Sequence, residues 1–145
     1  MARFSFRLQS YLSLKTKIED MKRNEFGKAV AALEAEKQRL AELEQEKDDC
    51  IEEFRRKVES SIDSRNLNRF NLFIDLLKER IKAQMAQVAR AEALVRAKRA
   101  ELVEAMKDRK ILETLREKDY TEYLDEEKKS EQKVLDDLVS YRYSK

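Results

Sequence analysis

A chain of 145 residues with 43% charged side chains, no proline and one glycine, Gly27, has the composition of long helices rather than of a turn-rich globule. Its net charge of +2 lacks the basic excess that non-specific nucleic-acid binding requires. Histidine is absent and cysteine occurs once, at Cys50, which removes the commonest general base, a zinc-binding cysteine pair and any internal disulfide.

No run approaches the roughly 18 apolar residues of a membrane span, and the opening residues lack the apolar core of a signal peptide. No glycine-rich phosphate loop is present. The expectation is a cytoplasmic, non-enzymatic protein with no catalytic residue, metal or cofactor, no nucleic-acid partner and no direct membrane insertion.

The opening RFSFRLQ alternates Phe4, Phe6 and Leu8 with polar residues, the period of a half-buried strand. A first helix is expected over about residues 4–60. Leu14, Ile18 and Met21 fit one register, and Phe26, Val30, Leu33, Leu40 and Leu43 fit another, displaced near Gly27. Ile51, Phe54, Val58 and Ile62 continue after a further slip. Such stutters locally unwind a supercoil. Gly27 costs about 1 kcal/mol relative to alanine inside a helix, and marks either a bend or a tolerated exposed position.

The stretch SSIDSRNLNR, from Ser60 to Arg69, holds the one cluster of Ser, Asp and Asn, residues that favour caps and turns. It predicts a turn over about residues 61–66, with Asp63, Ser64 or Asn66 as the N-cap of a second helix. The alternative is one continuous rod that dimerises in parallel.

The second helix is expected over about residues 67–141. Alternating steps of three and four trace a seam through Leu67, Phe70, Ile74, Leu77, Ile81, Gln84, Val88, Ala91, Val95, Lys98, Leu102, Ala105, Arg109 and Leu112. That is the mark of a coiled coil. Gln84, Lys98 and Arg109 interrupt it and read as residues that fix register. Leu72, Phe73 and Leu76 fall off the seam, so a two-helix structure leaves them as a candidate partner patch. Beyond Leu112 the apolar stripe drifts to Leu115, Tyr120, Leu124, Leu135, Leu138 and Tyr141, and packing should loosen there. The fold class is all-α: a long antiparallel two-helix coiled-coil hairpin with unequal arms, in one domain spanning residues 1–145. The longer arm should overhang by about 25 Å at 1.5 Å per residue.

Three phrases in this order resemble the FliJ family of the bacterial flagellar type III export apparatus. They are FSFRLQSYLSLK at the start, NRFNLFIDLLKERI after the turn, and RKILETLREKDYTEYLDEEKKSEQKVLDDL at the end. The resemblance implies a non-enzymatic stalk whose two chain ends enter the pore of a hexameric export ATPase. Phe4, Phe6, Leu8, Tyr120, Tyr123, Leu138 and Tyr141 would form that tip, with the opening residues contacting the ring or the C-terminal helix. It further implies that the far end meets the cytoplasmic domain of the membrane export gate through Leu72, Phe73, Leu76, Leu77, Arg80 and Gln84. On the first helix Gln38, Leu43 and Cys50 lie in the corresponding stretch and are the candidates for a contribution from that side. Export chaperones are a further implied partner, and the implied location is the inner face of the cell membrane at the flagellar base. A structural spacer, or the equivalent stalk of a virulence-type secretion system, is the alternative reading.

Overall fold

A computed structural model describes residues 3–60 and 63–144. Two helices account for nearly all of them, α1 over Gln9–Ser60 and α2 over Ser64–Tyr143, and no strand occurs among the described residues. The all-α hairpin expected from the sequence is the fold found. The arms are unequal, at 52 and 80 residues.

Helix α1 starts later than the expected residue 4. Phe6 is buried while Ser5 and Arg7 on either side of it are exposed, so the two-residue period holds in an extended leader. The leader ends in a tight turn in which the Gln9 N–H donates to the Phe6 carbonyl at 3.1 Å. The Leu8 carbonyl then accepts from Leu12 at 2.9 Å. A helix begun at Phe4 would turn Phe6 away from the face shared by Phe4 and Leu8, whereas the extended path presents all three to α2.

At the other end Asp63 is the N-cap of α2. Its carbonyl accepts from Leu67 at 3.1 Å, and its carboxylate accepts the Arg65 N–H at 3.2 Å, which satisfies one of the unpaired amides of the first turn. Capping at Asp63 starts α2 three residues earlier than residue 67. Ser61 and Ile62, two positions of the expected turn, lie outside the described residues.

The packing divides into two compact units, one of Met1–Lys22 with Leu102–Lys145 and one of Arg23–Glu101. In each, a stretch of α1 runs antiparallel to a stretch of α2. In the first unit Phe4 meets Tyr120 and Tyr123, Leu12 meets Leu112, and Glu19 meets Arg109. In the second, Glu25 meets Lys98, Glu36 meets Gln84, and Phe54 stacks on Phe70 with ring centroids 3.9 Å apart.

The α2 seam is realised position by position. From Phe70 to Leu112 every seam residue is at least partly buried, and every other residue is exposed. Leu67, at 39% exposure, is the one seam member left outside.

The α1 register corrects the expectation of stutters. Leu14 and Met21 are 51% and 60% exposed. The covered stripe runs Leu12, Lys15, Glu19, Lys22, Phe26, Ala29, Leu33, Glu36, Leu40, Leu43, Lys47, Cys50 and Phe54, an unbroken alternation of three and four; Phe26, Leu33, Leu40, Leu43 and Phe54 fall on it as expected, and Ile18, Val30, Ile51 and Val58 are partly covered beside it. Five of these thirteen are charged, and a count of apolar residues alone therefore skips them. Their burial is tolerated because long aliphatic stems pack while the charged ends find partners, as Glu19 does with Arg109 and Lys15 with Asp108 at 3.7 Å. Gly27 is exposed on a regular helix, and a Cβ there would meet nothing within 4 Å.

Candidate functional site

Two surfaces carry the residues singled out by the sequence, one in each unit. In the terminal unit Phe6 is buried with Leu12 and Leu112, and Phe4 and Leu8 pack against that cluster. The Phe4 ring meets Tyr120 edge-on at 5.1 Å and Tyr123 at 5.4 Å, with the Arg116 guanidinium 5.9 Å from its centroid. Edge-to-face aromatics and a cation over a ring are each favourable beyond simple burial. The opening residues are thus held on the C-terminal helix. Tyr123, half-buried on the continuing seam, has its hydroxyl pKa pushed up by desolvation and then by the Glu127 carboxylate.

Past Tyr123 the described part of α2 gains little cover. Leu124, Leu135, Leu138 and Tyr141 are 42% to 62% exposed, in line with the expected loosening. Leu138 and Tyr141 lie at least about 22 Å along the helix from Tyr123 at 1.5 Å per residue. The seven positions of the implied tip therefore split into a cluster at the leader and a separate exposed stretch near the end of α2.

In the second unit Leu72 is 71% exposed, Leu76 47% and Phe73 39%. Leu77, at 0% exposure, sits inside the seam, and Gln84, at 6%, is buried there but also lines a groove with Arg80. Gln84 donates from Nε2 to the Glu36 carbonyl at 3.0 Å and also to the Glu36 carboxylate. Arg80 is exposed and lines a groove of about 480 Å³ with Glu36, Leu43 and Gln87. Phe73 borders a second groove, of about 420 Å³, whose other wall includes Cys50, Glu46 and Asp49. Cys50 is thus brought beside Phe73 and Leu43 beside Arg80, whereas Gln38 donates from Nε2 to Glu42 on its own helix at 3.4 Å. The Cys50 thiol has its pKa raised, first by burial and then by Glu53 and Glu46, so it is not an activated nucleophile.

Sequence reasoning missed the partners of the polar seam residues. Lys98 reaches Glu25 and Glu101, both at 3.3 Å, and hydrogen bonds to Glu101 and Glu25 hold its pKa above the usual lysine value. Arg109 reaches Glu19 and Glu113. The legible signal was the three-and-four spacing of Glu19, Glu36 and Lys47 with their apolar neighbours.

Among the described residues no cluster of His, Cys, Asp or Glu could hold a metal ion, and no helix is long and apolar enough to cross a membrane. The family model for the flagellar FliJ protein matches residues 4–145, from the first leader phenylalanine to the last residue. The chain belongs to the FliJ family. It is accordingly a component of the flagellar type III protein export apparatus, from a family of non-catalytic components. Comparison with curated proteins and with solved structures gave no match. The FliJ match covers the leader and the bare end of α2 as well as the seams, so both surfaces belong to the matched region.

Proposed function

We propose that this FliJ-family chain is the stalk of the export ATPase and couples it to the membrane export gate. The observation that carries the reading is that α2 has two apolar surfaces that α1 leaves uncovered, one beyond Tyr123 and one at Leu72, Phe73 and Leu76. A plain spacer needs neither. In this reading the stretch from Tyr120 to Tyr141 enters the pore of the hexameric ATPase, and the leader braces it. Phe6 supports the brace from inside, while Tyr120, Leu138 and Tyr141 make the contacts.

At the other surface, Leu72, Phe73 and Leu76 dock on the cytoplasmic domain of the gate, with Arg80, Leu43 and Cys50 alongside. Leu77 and Gln84 hold the helix pair beneath them. The stalk also escorts export chaperones, and it works on the cytoplasmic side of the membrane at the flagellar base. It contributes no chemistry of its own. Nucleotide turnover can act on it only through contacts that differ between states of the ring.

The test is stimulation of the purified export ATPase by the full chain and by a chain lacking residues 124–145. The truncated chain should retain its helical pairing and lose most of the stimulation. Equal stimulation by both would sink the pore assignment.

A further inference from the structure

The groove beside Phe73 has a charge as well as an apolar anchor. Between Glu42 and Glu53, α1 carries seven carboxylates and one lysine, Lys47. Lys47 sits on the seam, partly buried. Glu42, Glu46, Asp49 and Glu53 line the groove together with Phe73. Among the described residues Glu53 alone of these four has an ion pair, with Lys57 at 3.5 Å. Glu42 and Asp49 accept amide hydrogen bonds from Gln38 at 3.4 Å and Gln45 at 2.8 Å, which leave their charge in place. The raised pKa of Cys50, to which Glu53 and Glu46 contribute, reports the same negative field. Of the cations on α2, Arg80 lines a neighbouring groove with Glu36, and Arg69 lines another with Cys50 and Glu53, so neither lines the groove with Glu42, Glu46 and Asp49.

From this juxtaposition we infer that the Leu72, Phe73 and Leu76 patch takes a protein segment with an apolar anchor flanked by lysine or arginine side chains, which the carboxylates of Glu42, Glu46 and Asp49 receive. The inference rests on the reading of this patch as the gate-binding surface and adds the chemistry of the occupant. An acidic segment would set like charges against one another. An uncharged one would cover three carboxylates without pairing them, and exposed apolar area alone does not explain why the rim is acidic. Carboxylates at the edge of an interface act mainly on encounter, raising the association rate in a way that salt removes. Phe73, at the centre, governs dissociation.

Three full-length chains separate the inference from the reading it rests on: wild type, Phe73→Ala, and the double variant Glu46→Gln with Asp49→Asn. The two acidic positions are exposed and the replacements keep their shape, so circular dichroism should be unchanged. The probe is the purified cytoplasmic domain of the export gate, with rates measured by biolayer interferometry from 25 to 500 mM salt. Wild-type association should slow steeply with salt. The double variant should associate about three- to ten-fold more slowly at low salt, with a flatter salt dependence and a nearly unchanged dissociation rate. Carbodiimide coupling, which joins carboxylates to lysines, should map Glu46 or Asp49 to gate lysines.

If Phe73→Ala loses binding while the double variant keeps wild-type rates and salt slope, or binds more tightly, the inference is wrong and the gate reading stands. If Phe73→Ala binds the gate normally, the gate reading fails and the inference fails with it.

Discussion

Arg109 of α2 closes on Glu19 of α1 at a seam position where Glu19 retains 4% of its exposure. Both residues occupy places that a uniform coiled coil would give to leucine. Such a pair contributes little net stability, because removing two ions from water offsets their attraction. Removing one partner is a different matter. Arg109→Ala should lower the thermal midpoint by several degrees, since it removes the cross-helix cation from a carboxylate buried in the seam. Replacing both by leucine should restore or raise the midpoint, and thermal unfolding of the three variants in parallel is the check. A single variant as stable as wild type would mean the pair is not coupled to folding.

Phe70 and Phe73 are three residues apart on α2 and should respond in opposite ways. Phe70 stacks on Phe54 with the rings 9° from parallel, so Phe70→Ala should cost about 2–3 kcal/mol, somewhat below the range for a wholly buried ring. Phe73→Ala should shift the urea midpoint little, because its ring contributes to a surface and not to the seam. Unfolding of Phe73→Ala at a midpoint as low as that of Phe70→Ala would place Phe73 in the core and remove the patch.

The antiparallel pairing is open to a direct distance measurement. Arg39 and Gln87 line one groove, so spin labels there, in a Cys50→Ser background, should lie within about 20 Å in a dilute monomer. A continuous rod would separate them by about 70 Å along the helix. A distance near that value would refute the hairpin.

Cys50 supplies a pH prediction. Burial and then the carboxylates of Glu53 and Glu46 raise the thiol pKa above its ordinary value of 9.0, with Lys57 opposing them. A raised pKa means less thiolate at any given pH, so alkylation should be slower than that of a free cysteine at pH 8. Its rate profile should be displaced toward alkali. Glu53→Gln should move the profile back toward neutral, because it removes the largest carboxylate contribution. A profile identical to that of a free thiol would show that neither burial nor the neighbouring carboxylates act on it.

The α2 seam was legible because its residues are mostly apolar and its polar neighbours obey the same spacing from Phe70 to Leu112. The α1 seam was legible only at Phe26, Leu33, Leu40, Leu43 and Phe54, since Lys15, Glu19, Lys22, Glu36 and Lys47 occupy its other positions and a reading by hydrophobicity moves the first turns onto Leu14 and Met21. Charge in a seam becomes intelligible only with its partner, and Glu36 finds Gln84 at a separation of 48 residues. The leader shows the same limit. Its two-residue period was plain, but that Phe4 would rest on Tyr120 and Tyr123 depends on where α2 passes. The patch at Leu72, Phe73 and Leu76 was legible from helical spacing alone. The carboxylates beside it became part of the same surface only once α1 was laid against α2.

The anchoring of Phe6 against Leu112 bears on how the protein folds. These residues are 106 positions apart, and closing so long a loop in one step costs more chain entropy than growing contacts outward from the Asp63 cap. Pairing therefore starts where the helices are close in sequence, with Phe54 and Phe70, and reaches Phe6 last. Contacts that form last are absent from the folding transition state, and their loss speeds unfolding without slowing folding. Phe6→Ala should accordingly raise the unfolding rate and leave the folding rate nearly unchanged. The leader works as a closing latch: its six described residues, Arg3 to Leu8, set how long the finished structure lasts and not how quickly it is made.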